Sequence, residues 1–208
     1  MKFEHWEPVY KLILEDMGFD RARDEQAARL LSRLLAGKKD TAEIKDLQKK
    51  IKGKDILVCG KARTLSKEIK SIDFKKYVTI AADGAASILM ECGITPDIIV
   101  TDLDGNMEDE ARAGELGAIL VVHAHGDNME ALRREMPRLK NVIGTTQSKP
   151  LKNVHNFGGF TDGDRSVFLA KEFGARTITL AGFDFKDESV TPLKKKKLKW
   201  AEKLIALC

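Results

Sequence analysis

Cysteine is scarce in this chain, and its pattern excludes two classes at once. The three thiols among 208 residues, Cys59, Cys92 and Cys208, form no CxxC pair and are odd in number, which argues against a disulfide framework or zinc ribbon and for a reducing compartment. Cys59 and Cys92 read as core thiols. Long apolar runs are missing too: none approaches the roughly 20 residues that a membrane helix requires, and Met1-Lys2-Phe3-Glu4-His5 opens no signal peptide. A cytoplasmic protein without membrane attachment is expected. Charge is not biased to one sign. The 36 basic residues against 32 acidic ones leave +4, too small an imbalance to single out nucleic acid. Several familiar loops are absent: there is no GxxxxGKS/T and hence no P-loop, no GxGxxG after the first strand, no HExxH and no GxSxG. Asp102, Asp104 and Asn106 begin like a calcium loop, but Met107 stands where that loop needs Gly and Ala113 where it needs Glu.

What the chain does hold is enough apolar sequence, 43%, for one full core and a helical appendage. Charged residues make up a third and Asn and Gln are few, a surface of the heat-adapted kind. Residues 1–52 carry helical spacing and almost no turn chemistry. Leu12, Ile13, Met17 and Phe19 form one apolar stripe, Ala27, Ala28, Leu30, Leu31, Leu34 and Leu35 a second before Gly37, and a third helix starts near Thr41. This segment has neither a glycine-rich loop nor a carboxylate cluster, so its expected role is packing, over the main sheet or against a second copy in a homodimer.

From Lys54 the pattern alternates. Strands are expected at 55–59, 77–81, around Ile98, at 118–122, 141–143 and 176–180, with helices at 64–70, 83–92, 107–116, 129–136 and 165–173. Such alternation implies an open, mostly parallel α/β sheet with helices on both faces, Rossmann-like in class, over residues 53–208 and closed by a C-terminal helix. In that class ligands bind beyond the carboxyl ends of the strands. Those ends carry Gly60-Lys61-Ala62-Arg63-Thr64, Asp83-Gly84, Thr101-Asp102-Leu103-Asp104, His123-Ala124-His125-Gly126-Asp127-Asn128, Gly144-Thr145-Thr146-Gln147 and Gly182-Phe183-Asp184, whereas the opposite loops are plainer. Polar groups converge on one rim.

The central stretch runs from Pro96 to Gly105. Its β-branched run delivers Asp102 and Asp104 where the strand stops; if the backbone is still extended there, both side chains leave one face and can share a hard cation. The alternative is that Asp104 caps the next helix and Asp102 is a solvated turn residue. His123 and His125 lie two apart, but with no cysteine or third histidine beside them they read better as contacts to phosphate or substrate than as a zinc pair.

Ala82-Asp83-Gly84-Ala85 followed by Pro96 to Asp104 resembles the thiamine pyrophosphokinases. With His123 to Asn128, Gly158-Gly159-Phe160-Thr161-Asp162-Gly163-Asp164-Arg165 and Leu180 to Phe185 added, the chain from about Lys54 to Lys186 more closely resembles the archaeal 6-hydroxymethyl-7,8-dihydropterin diphosphokinases. One departure is the first turn, where a Pro-Ser-Leu turn is expected and Gly60-Lys61-Ala62-Arg63-Thr64-Leu65 stands.

That resemblance implies Mg²⁺-dependent transfer of diphosphate from ATP to the primary alcohol of a pterin, with release of AMP. It implies Asp102, Asp104 and Asp127 as catalytic and, with Asp83, as metal ligands. The nucleotide is assigned to Gly60, Lys61, Arg63, Asp83, Gly84, His123, His125, Gly144 and Thr145, helped by free N–H groups at the helix near Thr64. The pterin, whose amino group and ring N–H form a pair of donors, is assigned to Asp162 and Asp164, with Phe160 or Phe157 as stacking faces and Asn156, His155 and Asp184 completing the pocket; the alternatives are that Asp162 only caps the helix from Gly163 and that Phe160 packs in the core. The thiamine enzymes append an antiparallel β domain, whereas residues 194–208 here are helical in pattern. Lys194 to Lys199 reads either as an RNA patch or as the solvated face of that helix.

Overall fold

A computed structural model describes residues 2–208. Three helices come first: α1 (Phe3–Met17), α2 (Arg21–Ala36) and α3 (Ile44–Ile51). The alternating part follows as β1 (Asp55–Cys59), α4 (Leu65–Glu68), β2 (Val78–Ala82), α5 (Ala85–Glu91), β3 (Ile98–Thr101), α6 (Met107–Glu115) and β4 (Ile119–Ala124). It continues with α7 (Met129–Glu135), β5 (Val142–Thr146), β6 (Val154–His155), α8 (Asp162–Glu172), β7 (Thr177–Ala181) and α9 (Pro192–Ala206). No described helix is long and apolar enough to cross a membrane.

The seven strands lie in the order β6-β5-β4-β3-β2-β1-β7 and every pair is parallel. Crossovers are right-handed, so steady progress from β1 to β6 places the intervening helices on one face, and the return to β7 sends α8 across the other. The two cores follow from this. Alternate strand residues Leu57, Ala81, Ile99 and Leu120 pack with α2, α5, α6 and α7. Their neighbours Ile56, Val58, Ile80 and Val121 pack with Leu47 and Ile51 of α3 and Val167, Leu169 and Ala170 of α8. Burial on both faces explains why these strands read as continuous apolar runs.

The helical segment straddles the sheet. Trp6, Tyr10 and Ile13 of α1 pack with Phe160, with Phe168 of α8 and with Leu204 of α9, while Ala27, Ala28 and Leu31 of α2 join the opposite core. Ile13 and Leu31, both fully buried, each contribute about 1.5–3 kcal/mol. The chain therefore crosses from face to face at Gly18–Phe19–Asp20, over the carboxyl ends of the strands. Asp20 fixes the far side of that turn, its Oδ1 accepting the Ala22 N–H at 2.8 Å as the cap of α2.

Several local features differ from expectation. The helix at Thr64 is one turn of α-helix, α4, followed by a 3₁₀ turn at Ile69–Ser71, so it offers little to an anion. The edge strand β6 has two residues, too few for any periodicity. Helix α8 opens three residues before Arg165 because Thr161 and Asp164 form a capping box. Cys59 is buried, but Cys92 ends α5 exposed and is not a core thiol. Where β1 and β7 stop, Gly60 and Gly182 touch: a Cβ on Gly60 would stand 2.7 Å from the Gly182 carbonyl, and one on Gly182, at φ 68°, would run into that of Gly60.

Candidate active site

The centre of the rim is built by the ends of β2 and β3. Asp83 adopts φ 43°, and its N–H donates to the Val100 carbonyl at 2.8 Å, so the chain turns sharply just as the β2–β3 ladder ends. On β3 the ladder stops at Thr101. Leu103 then takes φ 69° with its side chain buried and its N–H on Thr101 Oγ1 at 2.9 Å. The backbone is therefore not extended between Asp102 and Asp104; a left-handed kink brings them together, at a conformational cost of about 1–3 kcal/mol. Asp83, Asp102 and Asp104 each place a carboxylate oxygen within 4.8 Å of the others.

Two further residues complete this group and were not foreseen. Glu110 of α6 is buried; its Oε1 accepts a hydrogen bond from Thr101 Oγ1 at 3.1 Å while Oε2 has no partner. It occupies the buried stripe of α6 with Met107 and Ala113, and a charge on an apolar stripe is the signal that could have found it. Gly105 is the second, since a Cβ there would stand 2.7 Å from Asp83 Oδ1 and 3.0 Å from Glu110 Oε1.

Crowding of carboxylates sets the electrostatics. Burial, then the charges of Asp102 and Asp83, pushes Asp104 up to about 6. Burial, then Asp83, raises Glu110 to about 8. Burial also acts to raise Asp102, but the His125 hydrogen bond and the charges of His125, Arg165 and Lys197 outweigh it and hold this carboxyl low. Asp102 Oδ2 meets His125 Nε2 at 3.2 Å, and its buried Oδ1 has no partner. Oxygen donors at this spacing, one of them unsatisfied, fit a hard divalent cation such as Mg²⁺.

The remaining expected residues divide. Lys61 lies over Gly84, the residue after Asp83, since any side chain at Gly84 would collide with its ammonium. Arg63 is exposed, and its charge acts on Asp187 after β7. Asp127 is not brought to the carboxylates: it is 65% exposed and pairs with Arg23 of α2 at 3.4 Å. His123 is buried, with Nδ1 3.2 Å from Thr145 Oγ1. That hydroxyl donates to the Val122 carbonyl, so His123 Nδ1 carries the proton and Nε2 is left an unpartnered acceptor. Gly144 lies under Leu31 and Leu35 of α2, a packing position rather than a nucleotide contact.

On the pterin side, both Asp164 oxygens are engaged by Thr161 and by the Phe160 N–H, and the side chain is fully buried. Its work is capping α8, and no acceptor face remains for a ring. Asn156 is likewise spent, bracing the Gln147 and Ser148 carbonyls and the Gly158 N–H. Asp184 is exposed and accepts the Lys186 N–H at 3.0 Å. Phe157 packs between His155 and Phe173. Asp162, by contrast, faces the acidic group: burial and then the Asp102 charge raise its carboxyl well above the usual range, with Arg165 Nη1 at 3.6 Å.

Beside the carboxylates lies a cavity of about 150 Å³, lined by Phe19, Asp102, His125, Gln147, Arg165 and Lys197 among others. Its wall is braced by buried Asp24, which accepts from Tyr10 Oη at 2.7 Å, Gln147 Nε2 at 2.7 Å and the Gly126 N–H at 2.8 Å. Gln147 Oε1 in turn accepts from Arg165 Nη2 at 2.9 Å. Gln147 is on the rim as expected, whereas Arg165, Phe19 and Lys197 are wall residues that sequence reasoning missed. The lysine run is divided by the fold: Lys196 pairs with Asp16 at 3.0 Å, Lys197 turns to the cavity, and Lys194, Lys195 and Lys199 are exposed.

A parallel sheet whose carboxyl rim gathers three carboxylates around one point places the chain among α/β proteins with an acidic, cation-ready centre. Comparison with known proteins narrows the class. The family described as 6-hydroxymethylpterin diphosphokinase MptE-like matches residues 29–189, and the chain belongs to that family of enzymes. Proteins called 6-hydroxymethyl-7,8-dihydropterin pyrophosphokinase are similar to it: that of Methanothermobacter thermautotrophicus is 44% identical, over 99% of this chain and 94% of the relative. That of Pyrococcus furiosus is 48% identical over 89% and 79%, and that of Methanocaldococcus jannaschii 41% over 89% and 80%. Among solved structures, the MAf glycosyltransferase of Magnetospirillum magneticum AMB-1 superposes with a TM-score of 0.51 at 16% identity. The match covers 85% of this chain and 30% of that one and shows a shared fold alone.

Proposed function

We propose that the chain transfers diphosphate from ATP to 6-hydroxymethyl-7,8-dihydropterin, giving the pterin diphosphate and AMP, with Mg²⁺ held by Asp83, Asp102 and Asp104. The observation that carries this reading is the convergence of those three carboxylates at the rim in a chain of this family. In the reaction the alcohol oxygen bonds to the β-phosphorus of ATP, the bond from that phosphorus to the oxygen bridging the α-phosphate breaks, and AMP leaves. The alcohol proton passes to a carboxylate of the rim. Bound Mg²⁺ supplies neutralisation of phosphate charge there. The chain's own residues do the rest: Lys61 meets phosphate oxygens from the β1 side, His125 fixes the Asp102 carboxylate, and Gly105 lets the α6 end approach Asp83. Such catalysis is positioning and electrostatics, with no covalent intermediate. The exposed free thiols Cys92 and Cys208 support a reducing compartment, the cytoplasm.

The test is incubation of the protein with ATP, Mg²⁺ and either the dihydropterin alcohol or thiamine, with nucleotides and phosphorylated products separated by chromatography. AMP formed in step with pterin diphosphate is expected. Appearance of ADP instead of AMP, or turnover with thiamine only, overturns the reading.

A further inference from the structure

The cavity under the Gly18–Asp20 turn lies to one side of the carboxylate group. Along the rim the order of strand ends is β5, β4, β3, β2, β1. The cavity takes Gln147 from beyond β5, His125 from beyond β4 and Asp102 from beyond β3. Lys61, in contrast, follows β1 and covers Gly84 after β2. Transfer at phosphorus requires the attacking and leaving oxygens to stand roughly in line, on opposite sides of the phosphorus. Nucleotide on the Lys61 side therefore puts the alcohol on the cavity side.

Size and lining agree with that placement. A volume of about 150 Å³ is below the ~300–1,000 Å³ that bury a drug-sized ligand, so it suits a two-ring heterocycle and not a whole nucleoside triphosphate. Phe19 is half-buried on the wall, tilted at 47° to Phe160 with ring centroids 6.2 Å apart, and offers an apolar face for a flat ring. Asp20, on the lip, uses Oδ1 to cap α2; among the described residues its Oδ2 has no partner.

Resting on the diphosphokinase reading above, the geometry points to this cavity as the seat of the pterin alcohol, with Phe19 packing on the ring and Asp20 accepting its paired N–H donors. The α1–α2 turn, outside the alternating domain, thus determines acceptor specificity.

Asp20→Asn tests this cleanly, because asparagine caps a helix as well as aspartate does but turns one acceptor oxygen into a donor. Steady-state kinetics of the full chain should show KM for the pterin alcohol raised about tenfold or more, the size of a lost charged hydrogen bond, with KM for ATP unchanged. Phe19→Leu, which keeps an apolar filler beside Phe160, should move the same constant in the same direction with the melting temperature nearly retained. Unchanged pterin KM in both variants, or a rise in KM for ATP instead, overturns the assignment. Wild-type protein that does not turn over the pterin alcohol sinks the parent reading; wild type that does, beside unaffected variants, sinks only this one.

Discussion

His125 Nε2 stands 3.2 Å from Asp102 Oδ2, while Asp102 Oδ1 is buried and has no hydrogen-bond partner. One oxygen is held by the protein and the other is kept for something the protein does not supply. Asp102→Asn keeps a hydrogen bond for His125 and removes the charge. It is expected to lower turnover by about 100–1,000-fold, the range for loss of one preorganised electrostatic contact. Thermal melting should be unchanged or slightly lower, since the charge removed is one that His125, Arg165 and Lys197 favour. Near-normal turnover at saturating magnesium would take Asp102 out of the cation site.

Addition of Mg²⁺ is expected to raise the melting temperature, and more at pH 8 than at pH 5. Asp104 has a folded-state pKa of about 6, above its ordinary value of 3.8, so the folded protein holds its proton more tightly than the unfolded chain does. Metal-free stability from this group therefore falls as pH rises from about 4 to about 6 and is level above that. Above pH 6 the carboxylate is free to bind the cation; below, protons compete. At a hundred times its dissociation constant a ligand contributes about 2.7 kcal/mol. Scanning calorimetry with and without chelator checks this, and an equal shift at both pH values contradicts it.

Asp164→Asn should cost about 1–3 kcal/mol of stability, because an amide replaces an acceptor that faces Thr161 and the Phe160 N–H in a buried cap. The variant, held well below its melting temperature, should keep its KM for the pterin alcohol. Urea unfolding and steady-state kinetics on one preparation separate the two quantities. A selective rise in pterin KM at wild-type stability would restore Asp164 to the substrate site.

His123→Asn should flatten the loss of stability on the acid side. Burial first, and then the charges of Arg165 and His125, hold the His123 imidazole well below its ordinary value of 6.5. The unfolded chain takes up a proton below pH 6.5 and the folded one does not, so this group's contribution is complete above 6.5 and lost as pH falls. The slope is at most ~1.4 kcal/mol per pH unit. Urea unfolding at pH 7.5 and pH 5.5 should show a larger drop for wild type than for the variant. Equal drops would mean that His123 titrates normally.

Much of the fold was legible because short β-branched runs ended in Gly, Asp or His, and the same endings marked the rim. Asp83, Asp102 and Asp104 were found this way, although the extended geometry assumed for the last two gives way to a kink at Leu103. Asp164 misled because a Thr-x-x-Asp cap and a substrate carboxylate look alike in sequence; burial alone tells them apart. Phe19, Arg165 and Lys197 could not be joined to the rim in advance. They meet only because α1 and α2 pack on opposite faces of the sheet, a pairing that helical periodicity does not specify.

The contact between Gly60 and Gly182 binds two distant codons to one another. A methyl group at either position wedges the turns after β1 and β7 apart, and one at Gly182 also meets Leu65 and carries the strain of its positive φ. Gly182 should therefore be the harder of the two to replace. Variation in this turn is then left to the exposed Arg63, since the Ala62 N–H is itself tied to the Gly182 carbonyl.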